Sequence, residues 1–150
     1  MESPRRDHQS VCFLRRGDQL WDVQEYRRGL RWGTINAGLN IPEDHSLTID
    51  RRTPTTLYVG TDRTSVFKST DTGGYWTLAN AGLTNIAVMR ITIDPTTSTT
   101  LYFGTEGAGV LKSMDGGRTW THTMGDAVAH IIAIDPLTPT TLYALRSSAV

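Results

Sequence analysis

Two aspartates stand in the same company forty-four residues apart. Asp71 lies in Ser-Thr-Asp-Thr-Gly-Gly-Tyr-Trp (69–76) and Asp115 in Ser-Met-Asp-Gly-Gly-Arg-Thr-Trp (113–120), so Ser, Asp, Gly and Trp recur at fixed positions. A carboxylate repeated in this way has two chemical uses, as a ligand for a hard cation such as calcium or as a general acid. Both uses need further carboxylates at ligand or catalytic spacing. The octapeptides supply none, and no EF-hand spacing surrounds them. His122 and His130 lack the spacing of metal ligands, and the single cysteine, Cys12, excludes an internal disulfide framework and a multi-cysteine zinc site. Lys68 and Lys112 hold the same place just ahead of each octapeptide, which fits a repeated blade surface better than a catalytic lysine. No metal and no cofactor is expected.

The same residues serve a turn well. An aspartate two residues before glycine accepts hydrogen bonds from the backbone N–H groups of its own turn, and Ser69 or Ser113 adds a second side-chain bond. Gly73 and Gly117 supply a positive φ that other residues adopt only with strain. Trp76 and Trp120 then carry a large apolar face into the next strand, with an indole N–H that needs one acceptor. The expectation is a self-stapled turn whose aspartate points at its own backbone.

Such turns need strands to join. Residues 91–120 match 47–76 without a gap, a partial copy begins at 132, and 32–39 match 76–83 at the same interval. Within a unit the apolar residues alternate, as in Ile91 and Ile93 against Thr92 and Asp94, and no window shows helical periodicity. The best copy reads as four short strands at about 88–93, 100–105, 109–113 and 118–123. Four antiparallel strands in about 44 residues are the measure of a propeller blade. The predicted fold is all-β, a partial β-propeller with complete blades at about 45–80 and 86–124 and a half-blade at 130–146. Two complete blades cannot close a ring, so an open array with self-association through its blade edges is expected. Two copies joined head to tail would give a six-blade ring.

Both octapeptides resemble the Asp-box, or BNR, repeat found in the propellers of sialidases, xyloglucanases, sortilin and photosystem II assembly factors. The resemblance covers about residues 32–145 and speaks to architecture. It implies that Ser69, Asp71, Gly73, Trp76, Ser113, Asp115, Gly117 and Trp120 are structural, because in that family the box lies opposite the usual ligand face. Ligands would then meet the loops at the other end of the blades, which here carry Asp62, Arg63, Arg90, Glu106, Asp126 and His130. A Glu and an Asp on neighbouring loops are the parts of a glycosidase pair. The three arginines of sialidase chemistry are missing from these loops. The resemblance thus implies a non-enzymatic scaffold or binding module for a protein or glycan partner, with a fragment of a secreted glycoside hydrolase of the xyloglucanase or sialidase kind as the second reading.

Upstream of the repeats the pattern decays. Residues 25–32 keep only the Gly and Trp of the box, at Gly29 and Trp32. The run Val-Gln-Glu-Tyr-Arg-Arg-Gly (23–29) is also what a codon string for Val-Phe-Lys-Ser-Thr-Asp-Gly-Gly yields when read from its third base. Residues 1–30 are therefore expected to be irregular or out of frame, holding only the third and fourth strands of a remnant half-blade. Formal net charge is zero, so nucleic acid and membrane surfaces are not expected partners. The leading segment lacks the apolar run of a secretory signal, and no stretch approaches the ~18 apolar residues of a membrane span. Members of the resembled family are often extracytoplasmic.

Overall fold

Period-two alternation becomes antiparallel pairing along the chain. The computed structural model describes residues 10–16, 21–27, 33–39, 44–61, 66–83, 87–124 and 128–146. The first sheet comprises β1 (Ser10–Arg16), β2 (Trp21–Arg27) and β3 (Gly33–Thr34). Two four-stranded sheets follow. One is β4 (Asp44–Ile49), β5 (Leu57–Thr61), β6 (Val66–Ser69) and β7 (Thr77–Leu78); the other is β8 (Val88–Ile93), β9 (Leu101–Thr105), β10 (Val110–Ser113) and β11 (Thr121–Met124). A two-stranded sheet, β12 (Ala129–Ile134) with β13 (Leu142–Arg146), ends the row. Every strand pairs with its sequence neighbour, and each four-stranded sheet is one blade.

The blades pack face to face through their first strands, β4 against β8 and β8 against β12. This explains why all five residues of β5 are buried although their side chains alternate. Leu57 and Val59 face the preceding sheet in a cluster with Phe67, Trp76, Ile35 and Leu39. Tyr58 faces the following blade, beside Val88, Ile91, Phe103, Leu111 and Trp120. The apolar core thus lies between blades rather than inside any one of them, and each fully buried aliphatic side chain contributes ~1.5–3 kcal/mol to the joint. A smaller third cluster of Val110, Ala129 and Ile132, with Tyr102 and Leu142 against it, joins the second blade to the half-blade.

Close approach depends on one register position. A Cβ placed on Gly104 of β9 would overlap the backbone carbonyl of Ala129 on β12, so only glycine lets the next sheet come this near. Gly60 holds the same place in the first blade, against Val88. On β13 that register falls to Leu145, which is 60% exposed.

The structure corrects the upstream expectation. Residues 1–30 are not without a further blade strand: Ser10–Arg16 forms β1 and pairs with β2 from Ser10↔Arg27 to Arg16↔Trp21. Strands two, three and four of a blade are therefore present, where the repeat pattern predicted three and four. The pattern missed β1 because its Cys12-Phe13-Leu14-Arg15 matches none of Leu57-Tyr58-Val59-Gly60 at the same register. The half-blade supplies strands one and two, so the two ends overlap by one strand.

Candidate functional site

The two octapeptides are superposable hydrogen-bonded turns. Ser69 Oγ donates to Asp71 Oδ1 at 2.7 Å and accepts from the Gly73 amide at 2.8 Å; Asp71 Oδ1 also accepts from the Tyr75 amide at 2.9 Å. In the second blade Ser113 donates to Asp115 at 2.8 Å and accepts from Gly117 at 2.9 Å, while Asp115 takes the Thr119 amide at 2.9 Å and the Thr119 hydroxyl at 2.6 Å. The serines are buried and the aspartates exposed. Donors aimed at the ionised form hold both carboxyls below the usual range. For Asp71 the Ser69 hydroxyl is the main cause and the Tyr75 amide the next. For Asp115 the Thr119 hydroxyl leads, followed by the Thr119 amide.

Each turn is also a fastening to its neighbour. The indole N–H of Trp76 donates to the Ile35 carbonyl at 2.7 Å, and that of Trp120 donates to the Ala79 carbonyl at 2.8 Å, in both cases forty-one residues upstream. Trp120 is buried against Phe103, with ring centroids 4.4 Å apart. From the other side, the Tyr58 hydroxyl and the Lys68 ammonium of the first blade both donate to the Gly116 carbonyl, at 3.1 and 3.0 Å. Lys68 Nζ lies 5.3 Å from the Tyr58 ring centroid, and Lys112 repeats this over Tyr102 at 5.3 Å. Burial pushes the Tyr58 hydroxyl up to about 12 and pulls the Lys68 ammonium down, the latter helped by Arg118 and opposed by Asp115. The shared register of the two lysines was visible in the sequence. What it could not show is that the first of them reaches across to the next blade.

The serine hydroxyls, the aspartate Oδ1 atoms and the indole N–H groups of the octapeptides are thus committed to the fold. Among the other predicted residues, the structure brings Arg90 and Glu106 to one rim, opposite the octapeptide turns. Arg90 pairs with Gly104 across β8 and β9, and the side chains of Arg90 and Glu106 are exposed. The Glu106 backbone is fixed by its amide bond to the Ala87 carbonyl, 3.3 Å, and by a bridge to Val128. Asp62, Arg63 and Asp126 lie outside the described residues, as does the side chain of His130, whose backbone is in β12. No group of three or more His, Cys, Asp or Glu side chains able to hold a metal occurs among the described residues. A concavity does open on the octapeptide side, where Ile49, Arg52, Thr92, Asp94, Ile134 and Pro136 line the ends of the three first strands. Sequence reading missed it because its walls come from three successive repeats.

No known family profile matches the chain, and no curated protein matches its sequence. Solved structures do match. The GH74 enzyme from Niastella koreensis superposes with a TM-score of 0.71 at 22% identity, over 86% of this chain and 22% of that one. The GH74 xyloglucanase from Xanthomonas campestris gives 0.64 at 14% identity, over 82% and 23%. The extracellular domain of a protein described as a one-component system from B. thetaiotaomicron gives 0.65 at 16% identity, over 97% and 21%. At these identities the likeness is one of fold: the chain is an all-β partial propeller with unclosed, four-stranded blades. It spans about a fifth of the length of the solved proteins it matches.

Proposed function

We propose that this chain is an Asp-box (BNR) propeller segment acting as a non-enzymatic scaffold that binds a protein or glycan partner on the rim opposite its octapeptide turns. One observation carries the reading. The side-chain hydrogen bonds of both octapeptides are spent within the turn or on the adjacent blade, so recognition falls to the other rim, where Arg90 and Glu106 are exposed beside each other's strands. A cation and an anion on a firm β-rim suit hydrogen bonding to sugar hydroxyls or to a charged loop.

The second reading, a segment of a glycoside hydrolase, draws on the likeness to GH74 enzymes, one of them a xyloglucanase. Titration of the purified chain with xyloglucan oligosaccharides and sialosides, paired with chromatography of the sugars, separates the two. Binding without new reducing ends, weakened by Arg90→Ala or Glu106→Ala at unchanged stability, supports the scaffold. Cleavage supports the hydrolase. Indifference of every ligand to both substitutions removes this rim as the site.

A further inference from the structure

The turn after β4 departs from its two later copies at two adjacent positions. Ile-Asp-Arg-Arg (49–52) stands where the second blade has Ile-Asp-Pro-Thr (93–96) and the half-blade has Ile-Asp-Pro-Leu (134–137). The turn itself does not call for arginine. In all three copies the aspartate Oδ1 accepts the amide two residues on, from Arg52 at 2.9 Å, Thr96 at 2.7 Å and Leu137 at 2.8 Å. Two copies make that bond with proline and an uncharged residue in the arginine positions.

Both arginines border the concavity at the ends of the three first strands. It measures about 350 Å³, within the range of small-molecule sites, and its walls come from three consecutive sheets of the chain. One wall is an apolar ladder, with Ile49, Ile93 and Ile134 at a single register of β4, β8 and β12. Ile49 is 44% exposed there. Asp50 and Asp94 also border the space, but both are buried and turned to their own loops. Asp50 Oδ1 accepts from the Arg52 amide and the Ser98 hydroxyl, and Asp94 Oδ1 from the Thr96 and Thr97 amides and the Thr96 hydroxyl. The arginines are exposed and make no ion pair among the described residues. Arg52 Nε donates to the Pro95 carbonyl at 3.3 Å, which draws its guanidinium across the joint between the blades. The Arg51 side chain makes no hydrogen bond among the described residues.

We propose that this concavity binds a small anionic amphiphile, an organic acid whose carboxylate or sulfate meets Arg51 and Arg52 while its apolar body lies along the isoleucine ladder. Guanidinium groups hold such oxyanions through paired, charge-assisted hydrogen bonds. The apolar wall beside them lowers the local dielectric and strengthens that attraction. A neutral ligand leaves both guanidinium groups unmatched, and a bare inorganic anion leaves the ladder in water. The ligand must therefore carry both features. This site lies on the octapeptide side, away from the rim of Arg90 and Glu106, and it does not rest on what that rim binds.

The test is calorimetric titration of the intact chain with octanoate, octyl sulfate, octanol and octylammonium, each below its micelle concentration. Saturable one-site binding is expected for at least one of the two anions, and the tighter of them names the head group. Octanol and octylammonium should bind about tenfold more weakly or worse. Hexanoate should bind more weakly than octanoate, by about fourfold for each methylene lost. Arg51→Pro with Arg52→Thr gives the first turn the residues of the second, so the fold is kept, with an unchanged urea midpoint, while affinity for the anion falls about tenfold. Arg51→Gln alone, which breaks no hydrogen bond of the described residues, should weaken it about threefold. Arg90→Ala and Arg118→Ala should leave it unchanged. The proposal is overturned if neither anion binds saturably, if octanol binds as tightly as octanoate, or if binding is indifferent to the arginine substitutions. Weakening by Arg90→Ala overturns it too, since the anion then sits on the opposite rim.

Discussion

Ser98 Oγ lies 2.8 Å from Asp50 Oδ1, so the loop of one blade is tied to the loop of the next across forty-eight residues of chain. Asp50 is buried and also receives the Arg52 amide at 2.9 Å. The equivalent place in the half-blade is Pro139, which has no hydroxyl to offer Asp94. Ser98→Ala should cost about 0.5–1.5 kcal/mol, the net value of one hydrogen bond, and lower the urea midpoint without changing the slope. An unchanged midpoint would show that the bond contributes nothing to joining the blades.

The buried serines of the octapeptides should matter more. Ser113→Ala removes the acceptor of the Gly117 amide and a donor to Asp115 in one step. Leaving that amide unsatisfied predicts a loss of about 1–3 kcal/mol, with a similar loss for Ser69→Ala. Equilibrium denaturation of both variants checks this. Losses within measurement error would mean that water replaces the hydroxyl.

Thr72 is the one non-glycine residue with positive φ among the described residues, at 64°, where the second turn has Gly116 at 70°. A β-branched residue in the left-handed region is strained by roughly 1–2 kcal/mol. Thr72→Gly relieves that strain at some cost in unfolded-state entropy, for an expected net gain of about 0.5–1 kcal/mol. The melting temperature should rise for glycine and not for Thr72→Ala. A fall with glycine would assign the threonine side chain a role of its own.

Both turn carboxyls give an acid-sensitive fold, and the sign follows from the donors around them. Each folded-state pKa lies below its ordinary value of 3.8, so the unfolded chain binds more protons as pH falls. Their contribution is complete above about pH 4 and is lost below it, as pH falls toward the folded-state pKa. The slope of stability against pH in that window should flatten in Asp115→Asn and, to a smaller degree, in Asp71→Asn. Urea titrations between pH 2 and pH 6 supply the comparison. A slope unaltered by both substitutions would place the acid transition elsewhere.

Most of the blade architecture was legible in the sequence because it is local. Strands expected at about 88–93 and 100–105 are β8 and β9, nearly residue for residue, and Ser69, Asp71 and Gly73 meet within one turn as their spacing implied. The joints between blades were not legible. Tyr58 and Gly116 are fifty-eight residues apart, and nothing in a single strand's alternation says which of its two buried faces meets which neighbour. β1 escaped for a different reason: it is held by pairing with β2 and matches the repeat strands at no position of the shared register. For the candidate rim, the sequence reading placed Arg90 and Glu106 on loops, whereas Arg90 lies within β8 and Glu106 directly after β9. Their adjacency comes from β8 pairing with β9.

Leu145 gives the row of blades a direction. Gly60 and Gly104 are flat places on which the next sheet settles, in the way that smooth coins stack; at the same register on β13 the surface bears an isobutyl stud. A whole further blade laid on the face would have to move outward or tilt, since the backbone contact seen at Ala129 is closed to it. The stack therefore has unlike ends, and the joint between its full blades cannot be copied unchanged past the half-blade.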